Sequence, residues 1–145
     1  MREILYKAKD IDTGKWVEGY YTRAYFAGKH VHYINAHEFK MKYGSTRYEY
    51  VYQPYQIDPS TLCQWTGLVD KNGVKVFEGD IIESIFTKKP YIVCFGEYKC
   101  INEYDEEKYE YGWYNVDEGW FRTAFARPDE WGIVIGSIHD KEVEE

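Results

Sequence analysis

The chain has 145 residues, of which 44% are hydrophobic, and its 25 Asp and Glu against 18 Lys and Arg give a formal net charge of −7. This length and hydrophobic content are enough for one domain with a core and exclude an intrinsically disordered protein. The charge opposes binding to a phosphate backbone, and no apolar run approaches the roughly 20 residues that span a membrane.

Aromatic residues are frequent, with 16 Tyr, 7 Phe and 5 Trp making up 19% of the chain. Aromatic and β-branched side chains favour the half-buried surface of strands. The sequence therefore predicts a mainly β fold: a single domain over residues 1–145, built of successive antiparallel hairpins in a barrel-like or sandwich-like arrangement with at most short helices. Cys63, Cys94 and Cys100 have no paired spacing, and their apolar neighbours predict reduced core thiols.

Four hairpins are predicted where turn-forming residues separate two strand-like runs. Their strands cover residues 4–8 with 15–21, 20–26 with 30–34, 68–69 with 74–77, and 109–116 with 120–125. The turn of the first hairpin contains Asp10 and Asp12, as a calcium-binding loop does. An EF-hand loop needs Gly and Glu where this chain has Lys15 and Tyr21, so the segment is interpreted as a turn.

Three histidines near the second hairpin form a candidate metal site. His30 and His32 share one face of a predicted strand, and His37 lies on a short helix predicted over residues 35–42. No Cys or carboxylate is spaced to complete the coordination sphere. We therefore favour exposed strand histidines over metal ligands.

Tyrosines alternate along residues 47–53, which puts three of them on one strand face. Pro54 is expected to end this strand, and residues 55–60 are expected to form an irregular lead-in to the next one. A tyrosine face can bind a ligand. Packing over a sheet or against a neighbouring subunit is the favoured interpretation.

The segment 64–82 has the strongest local signals. Asn72-Gly73 predicts a type I′ turn, and Glu78-Gly79-Asp80 predicts a tight corner before a strand over residues 81–86. The apolar run 91–95 is expected to be a strand buried on both faces. The residues predicted to contribute to the core are Leu68, Val74, Val76, Ile81, Ile82, Val93, Phe95, Ile133 and Ile135.

The last third of the chain mixes acidic segments with further strands. Residues 99–108 are acidic and predict an exposed loop, a tip or a short solvated helix. Residues 128–131 predict a single helical turn, residues 132–139 a final strand, and residues 140–145 an acidic end that frays.

Local enzyme motifs are absent, since the chain has no nucleophile motif, phosphate-binding loop or paired-cysteine signature. The remaining candidates are the carboxylates of Glu78, Asp80 and Glu83, which could hold a divalent ion for phosphodiester hydrolysis. However, Glu83 falls on the opposite strand face from the other two, and Gly79-Asp80 suits a tight corner, so a structural role is favoured. We therefore assign no catalytic, cofactor-binding or metal-binding residue and expect no cofactor.

Several segments of the chain resemble one known family. They are residues 1–4 (Met-Arg-Glu-Ile), 58–61 (Asp-Pro-Ser-Thr) leading into 64–73, 77–82 (Phe-Glu-Gly-Asp-Ile-Ile) and 134–138 (Val-Ile-Gly-Ser-Ile). These segments are similar to the YopX proteins of phages and of prophages in low-GC Gram-positive bacteria. The resemblance implies a small phage-associated accessory protein of a bacterial host cell, and it transfers no catalytic residues to this chain. Residues 20–53 and 99–120 match less closely and look particular to this protein.

The sequence thus supports two classes of function. We expect a non-enzymatic protein that forms homo-oligomers, or binds a host or phage protein, through the Tyr- and Trp-rich strands of the two variable segments. The alternatives are a divalent-metal-dependent hydrolase or nuclease that uses Glu78 and Asp80, and a phage DNA-binding regulator. The net charge disfavours duplex nucleic acid, and Glu3 and Lys7 stand where a signal peptide would be apolar, so we expect a cytoplasmic protein without membrane contact. DNA contacts would have to come from scattered basic residues: Arg2, Lys7, Arg23, Lys88 and Lys89.

Overall fold

A computed structural model describes residues 4–41, 48–101, 104–119 and 121–140, with side chains described for all of these except residues 37–41 and 48–52. The described chain is mainly β with one short helix, as predicted. In chain order the elements are β1 (Tyr6–Asp10), β2 (Trp16–Phe26), β3 (Lys29–Met41), β4 (Tyr48–Val69), β5 (Lys75–Phe77), β6 (Asp80–Ser84), β7 (Pro90–Ile101), β8 (Glu107–Val116), β9 (Arg122–Ala124), α1 (Pro128–Trp131) and β10 (Gly132–Ser137).

The contacts divide the chain into two compact units, Met1–Gln64 and Trp65–Glu145, and the division falls within β4. In the amino-terminal unit β1 pairs with β2, β2 with β3, and β3 with β4. Because β4 also pairs with β1, the four strands close into a small antiparallel barrel. Ala8, Ile34 and Ile57 are buried at its centre. The prediction of one domain over residues 1–145 stays a prediction, since compact units need not fold independently.

The predicted helix over residues 35–42 is wrong, because β3 is extended through Met41. Residues 33–35 of β3 pair with β2 along one edge of the strand and with β4 along the other. The side chain of Asn35 donates hydrogen bonds to the carbonyl oxygen of Tyr20 and to Oγ1 of Thr22, at 3.0 and 2.8 Å, instead of capping a helix. Long-range pairing on both edges has overridden the local helix signal.

Pro54 was expected to end a strand, but β4 continues through it. Among the described strands, β4 is paired at Pro54 with β3 alone, because its pairing with β1 begins at Ile57. The missing N–H of proline is therefore tolerated at an edge position. The prediction of irregular structure over residues 55–60 is wrong for residues 55–58, which lie in ladders with β3 and β1, and a bulge occurs instead between Asp58 and Cys63. There Oγ1 of Thr61 accepts a hydrogen bond from the backbone N–H of Lys9 at 2.9 Å.

The carboxy-terminal unit contains a second antiparallel sheet in the order β10-β6-β7-β8-β9, together with the hairpin formed by the end of β4 and β5. Its core consists of Val76, Ile82, Val93 and Phe125. The helix α1 follows this cluster in the chain, and its Trp131 packs against it.

The predicted core is right at three positions, Val76, Ile82 and Val93, which are fully buried. Four predicted core residues are wrong, because they are exposed: Leu68, Val74, Phe95 and Ile135. Ile81 and Ile133 are half-buried. The run 91–95 is likewise not buried on both faces, since Ile92 and Phe95 are exposed. An alternating strand has two faces, and an apolar run does not tell which one is covered.

All four predicted hairpins are present, but the turn at Asn72-Gly73 is of a different type. Gly73 has a φ of +82°, whereas Asn72 is not at positive φ, and the N–H of Gly73 donates to the carbonyl oxygen of Asp70 at 3.0 Å. This is a three-residue loop ending in a left-handed glycine. Two consecutive positive φ angles occur instead at Ala27 (+52°) and Gly28 (+79°), the type I′ pattern, in the hairpin of β2 and β3.

The helical turn at Pro128–Trp131 is confirmed, and the final strand is shorter than predicted, Gly132–Ser137. In the acidic segment 99–108, residues 99–101 end β7 and residues 107–108 begin β8, while residues 104–106 are exposed, as predicted for a tip. Residues 102–103 lie outside the described residues. The fraying predicted for the acidic tail concerns residues 141–145, which lie outside the described residues.

Candidate functional site

Asp70, in the loop between β4 and β5, accepts three backbone hydrogen bonds with its carboxylate. It is 1% exposed. Its Oδ1 accepts hydrogen bonds from the backbone N–H groups of Asn72 (2.8 Å) and Val74 (2.9 Å), and Oδ2 accepts one from the N–H of Val134 (2.9 Å). One side chain therefore shapes the loop and ties it to β10.

Asp80, the central residue of the predicted carboxylate group, is also 1% exposed. Its Oδ2 accepts a hydrogen bond from the backbone N–H of Phe77 at 2.8 Å, which closes the corner between β5 and β6. Gly79, at φ +82°, donates its N–H to the carbonyl oxygen of Val93 and accepts from the N–H of Ile138. The corner thus joins β7 to the segment after β10, as a structural element does.

The carboxylates proposed from the sequence do not converge. Along β6 the buried face carries Asp80, Ile82 and Ser84, while Glu83 lies on the other face, as the strand period predicts. Glu78 is half-buried beside this corner and has interactions of its own. Among the residues with described placement, no group of three or more His, Cys, Asp or Glu side chains could hold a metal ion.

The two described histidines of the other candidate site contact aromatic rings. Nδ1 of His32 lies 2.6 Å from the hydroxyl oxygen of Tyr21, and the two rings stack with centroids 5.9 Å apart. His30 packs edge-on against Tyr25 at 5.1 Å. The side chain of His37 lies outside the described residues. The hydrogen bond with Tyr21 engages one of the two ring nitrogens of His32.

Cys94 is the cysteine whose environment bears on reactivity. Burial raises the pKa of its thiol, and the charge of Glu78 raises it further, while a hydrogen bond with Tyr114 and the charge of Arg122 act in the opposite direction. At neutral pH this thiol is protonated and a poor nucleophile. Cys63 is buried, as predicted, and Cys100 is half-buried.

The main feature that the sequence did not predict is a two-stranded extension of the second sheet, residues 96–101 of β7 paired with residues 107–112 of β8. We call it the arm. It extends for about 17 Å at the usual rise per strand residue. β6 pairs with β7 only up to Ile92, and β9 pairs with β8 only from Tyr114 onward. Within the described chain, no strand therefore pairs with either outer edge of the arm.

One face of the arm is aromatic and exposed. Tyr109 is 63% exposed and Tyr111 is 74% exposed. At the base of this face, the ring of Phe95 contacts Tyr111 at 5.4 Å and Trp113 at 4.7 Å between centroids, and Trp113 packs against the core. The aromatic row thus runs from the core out along the arm.

The opposite face of the arm is organised around a pair of glycines. Gly96 and Gly112 face each other in the ladder at φ +141° and +151°, so neither supplies a side chain there. Tyr98 and Tyr114 stack on this face with centroids 4.8 Å apart, and Tyr98 is buried. Burial raises the pKa of Tyr98. The stacked rings supply the packing that the glycines lack.

Two ion pairs flank the tyrosines, one between β7 and β8 and one along β8 itself. Nζ of Lys99 lies 2.7 Å from Oε1 of Glu107, and Nζ of Lys108 lies 3.0 Å from Oε1 of Glu110. The sequence contained a weak signal for the pairing of β7 with β8, because charged and aromatic residues alternate over both 97–99 and 108–111. The predicted hairpin paired β8 with β9 alone, and the longer partner of β8 is β7.

Comparison with known proteins gives one match. The family model described as YopX protein matches residues 5–142. No curated protein and no solved structure matches the chain. Among the described residues, no helix is long and apolar enough to cross a membrane. Because the family model covers nearly the whole sequence, the chain belongs to the YopX family.

Proposed function

We propose that this protein is a non-enzymatic accessory protein, encoded by a phage or prophage, which acts in the host cytoplasm by binding protein through the arm. Its first partner is a second copy of itself. The observation that carries the proposal is the arm, which has an exposed aromatic face and two outer backbone edges that no described strand pairs with. A two-stranded ribbon is marginally stable in water without a third strand, and an open edge favours pairing with another chain.

The sequence of the β8 edge is complementary to itself. If two β8 strands pair antiparallel around a two-fold axis through Tyr109, Lys108 of each copy lies opposite Glu110 of the other. The same register places the two Tyr109 side chains directly opposite each other, on the exposed face of the arm. Opposite charges and aromatic pairs across strands each stabilise pairing by about 0.2–1 kcal/mol. The two arms then form one continuous four-stranded sheet.

Size-exclusion chromatography with light scattering tests this proposal. At tens of micromolar, we expect a dimer for the native chain. Lys108→Glu alone and Glu110→Lys alone place like charges opposite each other, so each variant is expected to be mainly monomeric. An equimolar mixture of the two variants restores complementary pairs and should dimerise again. A native monomer at this concentration, or variants that dimerise as well as the native chain, would contradict the proposal.

The absence of an enzymatic role is supported by the environment of Asp80, whose buried carboxylate is bonded to the backbone of Phe77. Calorimetric titration with Mn²⁺ and Mg²⁺ tests the hydrolase alternative. That alternative requires a heat of metal binding in the native protein that disappears in Asp80→Asn. Circular dichroism shows whether that variant still folds.

Duplex DNA is not a proposed partner. Net charge repels phosphate, and of the basic candidates Lys7 has its ammonium group 4.5 Å from the ring centroid of Trp16, a cation–π contact. A gel shift at low and moderate salt checks this, and a sequence-selective shift that survives moderate salt would favour a DNA-binding regulator instead.

The cytoplasmic assignment has its own test. Three reduced thiols per chain, counted under denaturing and non-reducing conditions in fresh lysate, are expected in a reducing compartment. A count below three would contradict the assignment.

A further inference from the structure

The carboxy-terminal unit contains a cavity of about 520 Å³, which lies beside the core rather than on the arm. Its walls come from the end of β6 and the following turn, the start of β7, the ends of β8 and β9, and α1. The volume falls within the range of about 300–1,000 Å³ that is usual for ligand sites. Nothing in the family comparison assigns a role to it.

Aromatic rings form much of the cavity. Tyr91 and Trp131 line it and meet edge to face, with centroids 5.7 Å apart. The indole Nε1 of Trp131 donates a hydrogen bond to the carbonyl oxygen of Ala126 at 2.8 Å, which fixes the ring. Phe86 and Phe121 also line the cavity and are exposed, at 75% and 68%. The cavity therefore combines fixed interior rings with two apolar side chains open to solvent.

Two polar side chains of the cavity, those of Asp117 and Asn115, are held in place by hydrogen bonds. Oδ1 of Asp117 accepts hydrogen bonds from the backbone N–H groups of Gly119 and Phe121, both at 2.9 Å, so the carboxylate is held in place. Its Oδ2 accepts no hydrogen bond from the part of the chain that the structure describes. Asn115, 5% exposed, also lines the cavity and donates its Nδ2 hydrogen to Oγ1 of Thr123 at 2.9 Å.

The charges of the lining have one sign. Asp117 is the charged residue among the lining side chains, and no Lys, Arg or His is among them. Lys88 and Lys89 follow the lining residue Thr87 and are exposed. Arg127 lies just beyond the lining and is paired with Glu130 at 2.8 Å. The interior thus favours a cation.

We propose that this cavity binds the guanidinium group of an arginine side chain on another polypeptide. A planar guanidinium stacks on aromatic rings, and its N–H groups donate charge-assisted hydrogen bonds to a carboxylate. An ammonium group lacks the planar face, so arginine fits better than lysine. The exposed rings of Phe86 and Phe121 give apolar contact to the residues on either side of the arginine. The cavity is separate from the arm, so the proposal of arginine binding and the proposal of self-association can each be contradicted without affecting the other.

Isothermal titration with short peptides tests the proposal on the native protein. The probe is acetyl-Leu-Arg-Leu-amide, with matched peptides in which lysine or the uncharged isostere citrulline replaces arginine. We expect measurable binding of the arginine peptide, and binding of the citrulline peptide that is weaker by about tenfold or more, because a hydrogen-bonded charge is lost. Equal binding of the two peptides, or no binding of the arginine peptide at millimolar concentration, overturns the proposal.

Variants locate the site. Asp117→Asn keeps an oxygen that can accept from Gly119 and Phe121 while removing the charge, and it should weaken arginine-peptide binding by about tenfold. Phe121→Ser should weaken it as well. Lys108→Glu, on the arm, should leave peptide binding unchanged, which separates this site from self-association. Unchanged binding of the arginine peptide in Asp117→Asn overturns the assignment of the site. Agmatine carries a guanidinium group without a peptide, so if it binds as tightly as the peptide, the inference that the arginine belongs to a polypeptide is overturned.

Discussion

Two regions of the carboxy-terminal unit use polar and aromatic residues in opposite ways. In the turns around Asp70 and Asp80, buried carboxylates accept hydrogen bonds from backbone N–H groups of neighbouring segments. In the arm, both outer backbone edges lack a strand partner in the described chain, and tyrosines lie in solvent. Asp80, a carboxylate considered as a metal ligand, therefore holds the fold together, whereas Tyr109 and Tyr111 of the arm form an exposed surface. A buried carboxylate that accepts hydrogen bonds from the backbone has a structural role, whereas an unpaired strand edge is available for pairing with another chain.

Removing a carboxylate from the closed region should have the largest effect. Asp70→Ala leaves the N–H groups of Asn72, Val74 and Val134 without their acceptor, so we expect the free energy of unfolding to fall by about 3 kcal/mol or more. Urea unfolding followed by circular dichroism measures it. Asp12→Ala, at an exposed turn position of the other unit, serves as the control and should change stability by less than about 0.5 kcal/mol. Equal effects of the two substitutions would show that the Asp70 network does not stabilise the fold.

A backbone change in the same loop should have a smaller effect. Gly73 has a φ of +82°, and a Cβ atom there would meet nothing within 4 Å. Gly73→Val therefore strains only the backbone, and it should cost about 1–3 kcal/mol in the same unfolding assay. Gly73→Asn should cost less, because asparagine tolerates the left-handed region. A neutral Gly73→Val would mean that the loop accepts another conformation.

High pH tests the packed face of the arm. Burial raises the pKa of Tyr98 above its ordinary value of 10.0, so the folded state favours the neutral phenol. Its contribution to stability is complete below pH 10 and is lost as the pH rises through the raised value. We expect the free energy of unfolding to fall as the pH rises above 10, and to fall less in Tyr98→Phe. An equal fall in the native chain and in Tyr98→Phe would contradict this prediction.

The smallest effect on stability is expected on the exposed face of the arm. Tyr111→Ser removes a side chain that is 74% exposed, so stability should change by less than about 0.5 kcal/mol. Self-association should weaken, because the proposed interface loses an aromatic side chain. Comparing urea unfolding with light scattering on one preparation separates the two effects. Strong destabilisation without any change in association would show that Tyr111 stabilises the fold and does not contribute to a surface for self-association.

Local sequence signals predicted where these turns lie. A glycine at positive φ was expected at Gly73 and is present, and the helical turn at Pro128–Trp131 begins at a proline, as its sequence suggested. The type I′ turn was assigned to the wrong hairpin. Ala27-Gly28 adopts it, although alanine is a poor residue for positive φ. For the candidate site, the sequence predicted an aromatic strand over residues 109–116 as an interaction surface, but it did not predict the pairing with β7 that forms the arm.

The sequence by itself determined the β class, the positions of four hairpins and the YopX family, because alternation, turn residues and family motifs are local properties. Only the tertiary structure decided which strands pair over long distances: it made the predicted helix after Ile34 part of β3, carried β4 through Pro54, and joined β7 to β8. The physical reason is that a strand leaves half of its backbone hydrogen bonds to each neighbour, so its length, its buried face and its open edges depend on segments far away in the chain.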